Sequence, residues 1–71
     1  MNVEEFKKFI QSIGFEKMIG SYYRYKEFVI VLYNNEYSFY NASGWIGIYE
    51  LNDLTPLKKI DRNIKLKQLL G

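Results

Sequence analysis

Three closely spaced turn signals between Tyr22 and Glu50 constrain this 71-residue chain more than any other feature. They are Lys26-Glu27, Asn34-Asn35 and Asn41-Ala42-Ser43-Gly44. Asparagine tolerates the positive φ angles of a two-residue type I′ turn, so Asn34-Asn35 reads as a tight hairpin. Lys26-Glu27 reads as a second two-residue turn, and residues 41–44 as a four-residue turn ending in glycine. The runs between them, Phe28 to Tyr33, Tyr37 to Asn41 and Trp45 to Glu50, are β-branched and aromatic. Residues 17–25 supply a preceding strand, with Gly20 as a bulge inside it. The expectation is a four-stranded antiparallel meander.

Turns fix register, and register sorts side chains between faces. The Asn34-Asn35 turn pairs Ile30 with Phe39 and Leu32 with Tyr37. The Lys26-Glu27 turn pairs Tyr23 with Ile30 and Tyr22 with Val31. A loop over 41–44 pairs Phe39 with Ile46 and Tyr37 with Ile48. One face then collects Ile19, Tyr23, Tyr25, Phe28, Ile30, Leu32, Tyr37, Phe39, Ile46 and Ile48. The other collects Tyr22, Arg24, Val29, Val31, Tyr33, Ser38, Tyr40, Trp45, Gly47 and Tyr49. Both faces are apolar and aromatic, and a small core needs only one.

The first face has an obvious cover. Asn2 is an N-cap and Glu5 stands three residues on, where it can close a capping box. Val3, Phe6, Phe9, Ile10 and Ile13 fall at helical spacing, and Gly14 with Phe15 ends the run. A helix over residues 3–13 therefore packs on the meander, an α+β arrangement. After the sheet, residues 51–54 connect to Thr55-Pro56, read as helix cap and first helical position. Leu57, Ile60 and Ile64 keep helical spacing, which Leu66, Leu69 and Leu70 leave. The chain thus closes with a short helical segment. At this length it forms a single domain, residues 1–71, with a thin stability margin.

Charge is uneven. Residues 1–55 carry five basic and seven acidic groups, whereas residues 56–71 carry Lys58, Lys59, Arg62, Lys65 and Lys67 against Asp61. Such a segment reads as a solvated helix face, or as a set of contacts to an anionic partner.

Chemistry is sparse. The chain has no cysteine and no histidine. That excludes disulfides, thiolate or imidazole metal sites, and the commonest general base. No phosphate-binding glycine pattern occurs, and no cofactor is implied. Glu36, Glu50 and Asp53 are the one carboxylate group that a hard cation could use. The expectation is a non-enzymatic protein. The acidic start lacks the basic-then-apolar pattern of a secretion signal, and no apolar run reaches the ~20 residues of a membrane span. A cytoplasmic, membrane-free protein is expected. Residues with AT-rich codons (Phe, Tyr, Met, Ile, Asn, Lys) make up 36 of the 71, which points to a low-GC bacterial or phage gene.

Three covers for the second face are consistent with these residues. The C-terminal segment returns across it. A protein partner, either another protein or a second copy, docks on Trp45, Tyr40, Tyr22, Tyr49, Arg24 and Tyr33, a composition typical of interface centres. Or single-stranded nucleic acid stacks on the aromatics with the basic segment along its phosphates.

Overall fold

The computed structural model describes residues 1–58 and residue 60. It has an N-terminal helix, α1 (Val3–Ile13), followed by five strands: β1 (Glu16–Lys17), β2 (Tyr22–Tyr25), β3 (Phe28–Tyr33), β4 (Glu36–Asn41) and β5 (Gly44–Glu50). The strands pair antiparallel in chain order as one sheet. This is the expected α+β helix-on-meander architecture with one short extra strand.

Both ends of α1 form as the residues dictate. The Asn2 side chain accepts from the Glu5 N–H at 2.8 Å, and the Glu5 carboxylate accepts from the Asn2 N–H at 3.3 Å. At the other end the Gly14 N–H reaches the Gln11 carbonyl and the Phe15 N–H reaches the Ile10 carbonyl. These are the two bonds of a Schellman motif, with Phe15 folded back beside Ile10 in the core. Gly14 takes φ 129°, and a Cβ there would lie 2.7 Å from Cε1 of Tyr25. Glycine is required at this corner by backbone and by space.

Residues 17–25 do not form the single strand expected of them. Gly20, at φ 62°, makes a turn rather than a bulge. Lys17 therefore lies on β1, opposite Tyr23. Ile19, expected in the core, sits in that turn and is 88% exposed. The Asn34-Asn35 turn forms with both residues at positive φ, 48° and 61°. It sets Ile30 opposite Phe39 and Leu32 opposite Tyr37, and the preceding turn sets Tyr23 opposite Ile30, as the turn chemistry requires.

The last hairpin departs from expectation. Asn41 pairs with Gly44, so the loop is the two residues Ala42 and Ser43. Tyr40 pairs with Trp45 as expected, but Phe39 pairs with Gly47, not Ile46. Ile46 is the extra residue of a bulge, and beyond it every partner moves by one. Tyr37 faces Tyr49 and Ser38 faces Ile48. Tyr49 and Gly47 thus exchange faces with Ile48.

The core lies between α1 and one face of the sheet. Phe6, Ile10 and Ile13 of the helix and Tyr23, Ile30, Leu32, Tyr37 and Phe39 of the sheet are all buried, in one cluster with Phe15 and Leu51. Phe6 packs on Tyr37 with ring centroids 4.7 Å apart, and Tyr37 stacks on Tyr49 at 5.5 Å. No polar or charged side chain is buried among the described residues. Leu57 and Ile60 belong to the same cluster. The chain after the sheet therefore runs along the helix side and, as far as residue 60, does not return across the second face. Residues 55–58 and 60 are helical. The capping carboxylate there is that of Asp53, which accepts from the Thr55 N–H and hydroxyl, while the Leu54 carbonyl receives the first helical bond from Lys58. Thr55 is thus the first helical residue rather than the cap. The expected stripe residue Ile64, and Leu66, Leu69 and Leu70, which leave that spacing, lie outside the described residues.

Candidate functional site

The face of the sheet away from α1 is a grid of three cross-strand rows. One runs Arg24, Val29, Tyr40, Trp45, with Glu16 beyond Arg24. The next runs Tyr22, Val31, Ser38, Ile48. The third runs Tyr33, Glu36, Glu50. Strand alternation puts these residues together: each lies two positions from its neighbour along a strand, except across the bulge. Tyr33 is 75%, Trp45 60%, Ile48 59% and Tyr22 53% exposed. Tyr40, Val29 and Val31 are half-buried. Beside Tyr22 the first hairpin adds exposed Met18 and Ile19, which with Tyr22, Arg24 and Val29 line a shallow groove of about 440 Å³.

Of the six side chains expected to carry partner contact on this face, five are there: Trp45, Tyr40, Tyr22, Arg24 and Tyr33. Tyr49 is not. The bulge turns it into the helix side, where it packs partly buried against the core and stacks on Tyr37. A Cβ at Gly47 would lie 3.4 Å from the Tyr49 ring and hydroxyl, so the ring lies back over the glycine. Ile48 takes the outward place expected of Tyr49. The missed signal was Gly47 itself, since a glycine inside a strand often marks a bulge.

The polar groups of the face are few. Arg24 Nε donates to the Lys26 carbonyl at 3.2 Å, which ties the head group to the β2–β3 turn. Arg24 is the only cation in the three rows, against Glu16, Glu36 and Glu50. Glu36 and Glu50 stand directly opposite each other. Asp53 does not join them, because its carboxylate is taken by Thr55. Those hydrogen bonds hold the Asp53 carboxyl below the ordinary range, the Thr55 hydroxyl contributing most. No group of three or more His, Cys, Asp or Glu suited to a metal exists among the described residues. Tyr37 carries a strongly raised phenol pKa, first because it is buried and then because the Asp53 charge and Tyr49 are near. Its hydroxyl donates to the Asp53 backbone carbonyl. That tyrosine lies on the helix side and is structural.

Of the expected anionic-partner contacts, Lys58 is exposed on the helical turn after the sheet. Lys59, Arg62, Lys65 and Lys67 lie outside the described residues. No helix among the described residues is long and apolar enough to cross a membrane. Comparison with protein-family models, curated proteins and solved structures finds no match to this chain.

Proposed function

We propose that this chain is a small non-enzymatic interaction module, of adaptor or inhibitor type, that binds protein through the sheet face opposite α1. The observation that carries the reading is the outward placement of Trp45, Tyr22, Tyr33 and Ile48 on one continuous surface. Three aromatics and the neighbouring aliphatics leave more apolar area in water than scattered surface residues do. Trp45 is the anchor, in the row that also holds Tyr40 and Arg24, and the carboxylates of Glu36 and Glu50 form a polar margin. Trp, Tyr and Arg grouped inside a polar margin is the usual anatomy of a protein interface. A phosphate-tracking surface needs several cations, and three carboxylates beside one arginine favour protein over nucleic acid. The cytoplasm is the proposed compartment, since small secreted domains commonly rely on the disulfides this chain cannot make.

The test is Trp45→Ala. The variant keeps the far-UV circular dichroism and melting behaviour of the parent and loses about 2 kcal/mol or more of association free energy. Loss of folding in that variant would make Trp45 a core residue and end the proposal. Binding to an oligothymidylate with a steep salt dependence would transfer the face to nucleic acid instead.

A further inference from the structure

We infer that the protein on this face is a second copy of the chain, packed face to face about a twofold axis that runs along the strands between β3 and β4. The inference rests on the interaction reading of the same surface and names its partner.

Area is the first argument. With ~150–250 Å² for each full aromatic side chain, the exposed parts of Tyr22, Tyr33, Trp45 and Ile48 amount to roughly 500 Å². The exposed Arg24 and the half-buried Val29, Val31 and Tyr40 of the same rows add to this, toward the ~800 Å² per partner of a standard interface. A domain this small also gains stability from a partner subunit.

Self-complementarity is the second. The axis exchanges β2 with β5 and β3 with β4 and keeps each row level. It sets Arg24 opposite Trp45 of the second copy and Tyr22 opposite Ile48, each contact occurring twice. A guanidinium over an indole is a favourable cation–π pair. The same operation sets the Tyr33 phenol opposite Glu36, a donor facing an acceptor. Glu36 and Glu50 share one end of the sheet and remain in water at the rim, where carboxylates belong. Sheets packed this way cross at about 30° and interdigitate across ~10 Å. The edge of β5, unpaired among the described residues, is the poorer site for a second copy, because the bulge at Ile46 interrupts the strand.

The experiment is sedimentation equilibrium of the full chain across concentration, with iodide quenching of its single tryptophan. The parent shifts from monomer to dimer as concentration rises, and Trp45 becomes shielded in step. Trp45→Glu and Ile48→Glu each raise the dimer dissociation constant about 30-fold or more, the size of a hot-spot loss, with unchanged circular dichroism. Two substitutions on separate outward positions keep the test valid if one of them misfolds. A monomer at every concentration with quenchable Trp45 overturns the second copy but leaves the face open to another protein. A monomer with shielded Trp45 overturns both readings. A dimer indifferent to both substitutions overturns this geometry and moves the contact elsewhere, such as the β5 edge.

Discussion

The hydroxyl of Tyr37, in the middle of the sheet, donates to the backbone carbonyl of Asp53, sixteen residues further on. That bond fastens the connector after β5 to the core, beside Leu51 and Leu57. It helps fix the chain on the helix side after the last strand, and so bears on why none of the described residues covers the other face.

Tyr37→Phe removes this bond while keeping the ring. The expected loss is about 1 kcal/mol in a urea unfolding curve. The parent also has an alkaline limit. A phenol whose folded pKa lies above its unfolded value stabilises the fold fully below ~10, and that stability is lost as pH rises through the folded value. Melting temperature measured against pH should fall more gently above ~10 in the variant.

Gly14→Ala meets two obstacles at one atom, a positive φ and the Tyr25 ring 2.7 Å from the new Cβ. The cost should reach about 1–3 kcal/mol. Adding Tyr25→Leu separates the causes by double-mutant analysis: the steric part is relieved and the backbone part remains.

Glu50→Lys turns a like-charge cross-strand pair with Glu36 into an opposite-charge one. A gain of about 0.2–1 kcal/mol is expected in low salt, shrinking as salt is added. Thermal melts at two ionic strengths check it.

Thr55→Val deletes the hydroxyl that donates to Asp53 at 2.7 Å. The Asp53 carboxyl, held low in the parent chiefly by the Thr55 hydroxyl, should move up toward the ordinary carboxylate range when followed by NMR titration. A carboxyl with a lowered folded pKa stabilises the fold above its unfolded value and loses that contribution as pH falls through the folded one. The acid limb of stability should therefore be shallower in the variant.

Much of this architecture was legible from residue chemistry. Asn2, Glu5, Gly14 and Phe15 specify both ends of α1 without reference to anything distant. The Asn34-Asn35 turn specifies β3 and β4, and through them the outward placement of Tyr33 and Tyr40, while the Lys26-Glu27 turn does the same for Arg24 on β2. Trp45 was placed correctly because it lies between the last turn and the bulge. Tyr49 was not, because one extra residue in a strand is invisible to a count from the turn. What decides between registers is whether the Tyr49 ring fits over Gly47 and against Tyr37, a matter of tertiary packing. The same limit applies at Gly20, where turn and bulge use the same residue, and at Asp53, whose capping role depends on where the connector runs.

The bulge makes the two halves of β5 independent. Removing Ile46 would leave Trp45 opposite Tyr40 and Gly47 opposite Phe39, so the inner and outer inventories of the strand would not change. Strand length and side-chain facing are thus separable at that point: a strand one residue shorter keeps both its anchor to the interior and its indole to the outside, and gives up the interruption that the bulge puts in its edge.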